Sequence, residues 1–316
     1  MLGCALIAAV LGVNPQQLVN GISLGAMYAL IALGYTMVYG VLKLINFAHG
    51  EIFMVGSFAG LASLTILHLP FAGALIVGMA VAAVSGVIIE RFAYRPLRGS
   101  PRLAALITAI GVSLLLQNVG VIALGAAPRA YPAAIPADPI PWFENSLSVV
   151  VTQQQVVILA LTGAILVLLH LIVSRTRIGK AMRAVSQDRQ AAELMGINAD
   201  RVIAFTFALG SAIAGAGGVF YGVYYGTADP LMGLMPGIKA FVAAVLGGIG
   251  SIPGAMLGGF LMGFVETGAS SVTLRISDEV AISGSTLRDA VAFGVLIIIL
   301  MVRPTGLLGR TSREKV

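Results

Sequence analysis

Apolar runs of about twenty residues recur along the whole chain, and they constrain the fold more than any motif does. A hydrocarbon core about 30 Å thick needs about 20 apolar residues to span it as a helix. Runs of that kind occupy 18–40, 50–67, 71–90, 103–124, 155–173, 202–226, 240–266 and 285–302. Between them no stretch is long enough for a separate soluble domain. Only 10% of the residues are charged and 58% are hydrophobic, against about 25% charged in a soluble domain. Mean hydropathy is +0.98. The sequence therefore predicts an all-α fold, a polytopic transmembrane helical bundle of about eight spans forming one unit over 1–316.

The basic residues orient that bundle. "RFAYRPLRGSPR" carries Arg91, Arg95, Arg98 and Arg102 with no acid among them; "SRTRIGKAMRAVSQDRQ" and the closing "RPTGLLGRTSREK" are also basic. Cationic loops of a membrane protein stay on the cytoplasmic side, so all three are expected there, as is Lys43. The proline-rich "GAAPRAYPAAIPADPIPWFENS" is expected outside, with Trp142 and Phe143 as interface anchors. The N-terminus then lies outside and the C-terminus in the cytoplasm. The net charge of +6 is accounted for by these loops, and no nucleic-acid partner is implied. The opening "MLGCALIAAVLG" lacks a basic n-region and is not read as a signal peptide. Cys4 is the single cysteine, which excludes an internal disulfide framework and a Cys-based metal site.

Two segments interrupt the pattern. The run 240–266 must begin and end on one side if the basic tail is cytoplasmic, and "GGIGSIPG" over 247–254 breaks it. Glycines and Pro253 do not continue a straight helix. The expectation is two short helices joined at Gly247, Gly248, Gly250 and Pro253, forming a hairpin that dips into the protein. In the first half, "INFAHGE" places Asn46, His49, Gly50 and Glu51 between two spans. Glu51 there complements the positive end of a helix dipole and serves as a cap, rather than carrying protons; the plainer alternative is a turn in water. Irregular backbone at membrane depth is tolerated where it lines a cavity, and paired interruptions mark transport paths. Small residues repeat at Gly218, Gly222 and Gly226, at Gly254 and Gly258, and at Gly259 and Gly263, a helix-packing signal.

The polar stretch 176–202 reads as amphipathic helix beneath the membrane, with Ala181, Val185, Ala192 and Met195 on one side, Gly196 as C-cap and Asp200 capping the next span. Its small apolar face suits a protein groove.

"NGISLGAMYALIALGYTMVYGVLKLINFAHGEIFMVGSF" resembles the LivH-type permease of high-affinity branched-chain amino acid ABC transporters, as do "RIGKAMRAVSQDRQAAELMGINADRVIAFTFALGSAIAGAGG", "GLMPGIKAFVAAVLGGIGSIPGAMLGGFLMGFVE" and "RPTGLLGR". The resemblance runs from about Leu18 to Arg310. It implies a second, related permease subunit, two cytoplasmic ATPase subunits, an external (periplasmic) amino-acid-binding protein and residence in the bacterial inner membrane. It further implies that 174–201 docks an ATPase, with Gly179, Arg183, Ala191, Ala192 and Gly196 matching the loop pattern. The chain has no G-x-x-x-x-G-K-[ST], so ATP binding through its own P-loop is excluded, and no cofactor or metal is expected. His49, His68 and His170 lack metal spacing, and His170 reads as a snorkelling residue. The alternatives are a urea or short-amide permease and an ion-coupled secondary transporter. Glu51, Glu90 and Glu266 stand near span ends, which speaks against the latter.

Overall fold

The computed structural model describes residues 15–143, 149–271, 274–275, 281–282, 284–303 and 305–309. The leader 1–13 with Cys4, Pro304 and the basic residues after 309 lie outside them. Among the described residues the long helices are α1 (Pro15–Leu42), α2 (His49–Thr65), α3 (Phe71–Ile89), α4 (Arg102–Leu124), α5 (Gln153–Arg175), α8 (Ala199–Tyr225), α9 (Leu234–Gly247), α10 (Ile252–Ser271) and α11 (Gly284–Val302). Two short helices, α6 (Arg177–Gln187) and α7 (Arg189–Leu194), link α5 to α8. Among the described residues, strand structure is two two-residue pairings, β1 (Arg129–Ala130) with β2 (Thr227–Ala228) and β3 (Leu274–Arg275) with β4 (Ala281–Ile282), and an isolated bridge between Pro139 and Thr152. The protein is an all-α, multi-pass membrane protein. Among the described residues, five helices are long and apolar enough to cross a bilayer alone, namely α1, α4, α5, α8 and α3 with its extension to Leu97.

The bundle has two ends. α6 and α7 mark one; the β1–β2 pairing marks the other. α1 is enclosed along most of its length, as expected of a helix that is apolar on every side. It owes that position to small residues. Gly259 of α10 packs on Ala29, and Gly263 packs on Gly21 and Gly25, while Gly254 and Gly258 on the adjoining face of α10 meet Gly247 and Ala243 of α9. Each pair of α10 glycines thus serves a different neighbour. In α8, Gly218 lies on the Phe53 carbonyl and Gly222 on Tyr131 and Ser57. Gly226 instead terminates α8 with a positive φ of 68° and open space around it, so its spacing in the repeat has a capping cause.

The hairpin is larger than the apolar run suggests. α9 and α10 extend over 234–271 and turn at 248–251. α10 alone, with 20 residues, is about 30 Å long, longer than the short helix expected. Gly248 and Gly250 adopt φ of 105° and 94° in the turn. The C-terminal segment seals it: Leu307 N and Leu308 N donate to the Leu246 and Gly247 carbonyls, each at 2.9 Å.

The caps also differ in one place from expectation. Asn198, not Asp200, caps α8, accepting from Arg201 N at 3.0 Å. Asp200 pairs instead with Arg95 and Arg98 at the end of α3, because three cations (Arg189 being the third) compete for a carboxylate that the helix N-terminus alone would hold weakly. Thr152 and Gln155 form a reciprocal capping box at the start of α5.

Candidate functional site

After α1 the chain turns back into the bundle. Lys43 takes a positive φ of 56°. Asn46 then closes the turn: its Oδ1 accepts from Ala48 N at 3.1 Å and from Tyr94 Oη at 3.0 Å, and its carbonyl accepts from His49 N at 3.0 Å. Tyr94 sits on a π-turn, Glu90–Tyr94, that prolongs α3. His49 is fully buried, its ring 4.7 Å from that of Tyr35. The imidazole lies directly on Gly34, where any Cβ would overlap it. Gly34 lies eight positions before Leu42, about 12 Å deep at 1.5 Å per residue. α2 therefore starts inside the bundle, not at its surface. The turn is not the water-exposed one that a plain connection would form.

A second helix start meets it there. Beyond β2 the chain descends from the opposite end to Gly233, and α9 begins at Leu234. Gly50 lies against Gly233 and Gly237: a Cβ on Gly50 would overlap the Gly233 carbonyl oxygen and stand 3.1 Å from Gly237 Cα. From this junction α2 runs to the β1–β2 end and α9 to the α6–α7 end. Two positive helix ends converge, and the acid in the first turn of α2 is Glu51.

Glu51 makes no capping hydrogen bond to its own helix, which corrects the expected cap. Its side chain turns to α4, where Oε1 accepts from Gln117 Nε2 at 2.8 Å and Ser113 Oγ at 3.3 Å. Oε2 faces Gly233 and accepts no hydrogen bond among the described residues. A cavity of about 370 Å³ opens beside it, lined by Tyr35, Phe47, Glu51, Ser113, Gln117 and, from α9, Gly233 to Val242 in part, with Phe293 and Leu296 of α11.

The glycine-rich turn is elsewhere. Gly250 approaches Gly40, and a cleft lined by Gly40, Lys43, Met182, Arg183, Gly250 and Ile252 joins it to α6. What faces the Asn46–Glu51 break is thus the start of α9 rather than Gly247, Gly248, Gly250 and Pro253. The two breaks share a helix, α9, and stand at its two ends. Sequence reasoning placed the interruption of that region at its glycines and missed the one at Gly233, since the apolar run it read begins only at 240, inside the helix that starts at Leu234.

The loop 174–201 folds into α6 and α7. Gly179 lies on the Ile172 and Val173 carbonyls with no room for a Cβ, so glycine is what lets α6 close on the end of α5. Its buried face is Gly179, Met182 and Val185, joined by Ala192 of α7. Met195 is 83% and Leu194 88% exposed, which moves Met195 off the expected inner face. Arg183 donates to the Val173 carbonyl. Ala191 N donates to Asp188 Oδ1 at 2.9 Å, and Gly196, with φ 84°, ends α7. Its neighbour Ile197 N donates back to the Ala192 carbonyl at 3.0 Å, the Schellman pattern.

Two further features escaped the sequence. Lys239 is buried and pairs with Glu266 at 2.9 Å and Asp289 at 2.7 Å, while Tyr28 Oη donates to Glu266 Oε2 at 2.6 Å. Tyr131 leaves the loop between α4 and α5 to bury itself between α2 and α8, donating to the Ser57 carbonyl at 3.2 Å. Trp142 is 58% exposed with Phe143 against it. His68 lies exposed in the connection between α2 and α3 and His170 is exposed near the end of α5, and no metal-binding group of three or more His, Cys, Asp or Glu occurs among the described residues.

Comparison with known proteins places this geometry in a family. The family described as "Branched-chain amino acid transport system / permease component" matches residues 17–300. The chain is 44% identical over 310 residues to the high-affinity branched-chain amino acid transport system permease protein BraD of Pseudomonas aeruginosa, covering 95% of this chain and 97% of that one. It is also 44% identical, with the same coverage, to the permease protein LivH of Escherichia coli. A solved structure, PsaBC from Streptococcus pneumoniae in complex with Fab, aligns over 90% of this chain and 91% of that one with a TM-score of 0.47 and 15% identity. With a match across nearly its whole length, the chain belongs to the branched-chain amino acid transport permease family.

Proposed function

We propose that this chain is one of two related permease subunits of an ATP-driven importer for branched-chain amino acids in a bacterial inner membrane. The observation that carries the reading is the buried junction of α2 and α9 within a chain 44% identical to BraD and LivH. Two helix starts at depth offer backbone N–H groups and positive dipole ends to a zwitterion crossing the membrane. In this reading Asn46, His49 and Gly50 hold the junction in shape and Glu51 belongs to the path. The turn at Gly247, Gly248, Gly250 and Pro253 acts as a gate at the mouth nearest α6. The segment 174–201 docks one of two ATPase subunits, which places that end of the bundle and the C-terminus in the cytoplasm and the N-terminus outside. A binding protein delivers substrate at the β1–β2 end. The chain is not itself an ATPase.

The test is reconstitution in vesicles with a second permease, two ATPases and a leucine-binding protein. Radiolabelled leucine uptake is expected only with ATP and all partners present. Leucine movement by this chain alone, or urea uptake in place of leucine, would overturn the proposal.

A further inference from the structure

Glu51 presents an unused charge to an apolar cavity. The side chain is 1% exposed, and no ion pair reaches it among the described residues, where every other buried carboxylate at helix depth has one: Glu90 has Arg98, and Glu266 has Lys239. One oxygen is held by Gln117 and Ser113, which fixes the rotamer, while Oε2 is left without a donor. An unpaired buried carboxylate is costly to maintain. The two converging dipoles offset part of that cost but supply no hydrogen bond to Oε2. Around it the cavity wall is chiefly Ile110, Leu114, Leu234, Ile238 and Phe241. At about 370 Å³ the space is at the lower end of small-ligand pockets, roughly 300–1,000 Å³.

We infer that the Glu51 Oε2 is the recognition point for a primary ammonium group, and that the adjoining apolar wall takes the branched aliphatic group attached to it. The inference rests on the reading of the junction as the path and names what that path recognises. A metal cation fits poorly, since Na⁺- or Ca²⁺-like ions need several oxygens, whereas here the polar lining besides Glu51 is Tyr35, Ser113 and Gln117, the last two already engaged with Oε1, and the rest is glycine, aliphatic and aromatic. An ammonium needs few partners and gains a charge-assisted bond from one free carboxylate oxygen. Gln117 and Ser113, which also line the cavity, are positioning residues: they donate to Oε1 and so orient Glu51.

The experiment uses the assembled complex with Cys4 replaced and Ile238→Cys as a reporter on the cavity wall, alkylated by a small hydrophilic reagent. Protection is measured with leucine, with leucinol (ammonium, no carboxylate), with 4-methylpentanoate (carboxylate, no ammonium) and with NaCl. Leucine and leucinol are expected to protect, 4-methylpentanoate and Na⁺ not. Glu51→Gln keeps an oxygen for Gln117 and Ser113 but removes the charge, and should weaken protection by leucine and leucinol about tenfold or more, the worth of a charge-assisted hydrogen bond. Equal protection by leucinol and 4-methylpentanoate, protection by Na⁺ alone, or an unchanged Glu51→Gln complex would each overturn the inference. The ligand comparison on intact Glu51 stands even if Glu51→Gln fails to assemble. Absence of leucine uptake by the unaltered complex would instead count against the proposed function, because leucinol protection is read independently of transport.

Discussion

Lys239 places an ammonium among apolar helices, and three elements answer it. Glu266 of α10 and Asp289 of α11 pair with it, and Tyr28 of α1 donates to Glu266. Such a cluster holds α9, α10, α11 and α1 in one register, and its cost appears when one member is removed. Lys239→Met should lower the unfolding free energy of the detergent-solubilised protein by up to about 3–5 kcal/mol, because it leaves buried Glu266 with only the more distant Arg288 guanidinium, 4.0 Å away, as a cation. Adding Glu266→Gln should recover much of that loss, and a thermal melt of both variants checks the sign. Gly50→Ala belongs to the same scale. Its methyl would collide with the Gly233 carbonyl, so the expected loss is about 1–3 kcal/mol, with uptake abolished because α2 and α9 must part. Asn46, His49 and Gly50 were legible in the sequence, since polar residues interrupting an apolar run need a reason. Lys239 was not, for it precedes the apolar run that begins at 240 and its partners are distant in sequence. Ser113 and Gln117, four residues apart, share one face of α4, but that spacing does not name the partner they share, which lies on α2.

At the scale of elements, local packing already claims part of the segment proposed to dock an ATPase, α6 and α7. Gly179 and Arg183 are already committed within the chain, to the end of α5. Arg183→Glu should therefore uncouple ATP hydrolysis from uptake partly by unseating α6, since a carboxylate cannot donate to the Val173 carbonyl and sits badly at a helix C-terminus. Leu194, 88% exposed, offers a cleaner test. Leu194→Glu should leave the chain folded and monodisperse while reducing ATPase recovery several-fold; normal recovery with normal uptake would remove the docking role from α7. The sequence located this segment and its Gly196 end, because capping is local chemistry. It misassigned the α8 cap, because Asp200 is claimed by arginines from α3 that only the tertiary fold brings near. For the same reason the hairpin's break was legible at its glycines, while the start of α9 was not.

At the scale of the whole molecule, the outer faces of α3, α4 and α5 expose Ile76, Val84, Ile107, Leu115, Ile122, Val167 and Leu168. These aliphatic surfaces suit lipid or a second permease, whereas the junction of α2 and α9 is sheltered behind α4 and α11. On the proposed path, alternating access requires the junction and the turn at 248–251 to respond together, as they are the two ends of one helix 14 residues long. Cysteine accessibility tests this most directly. With Cys4 replaced, Phe241→Cys reports on the junction and Ser251→Cys on the turn, each labelled by a hydrophilic reagent in the assembled importer at rest and trapped with ATP. Labelling at both positions should change between the two states, in opposite senses if one opens as the other closes. Identical labelling at both positions in both states, in a complex that still imports leucine, would contradict a path through this junction.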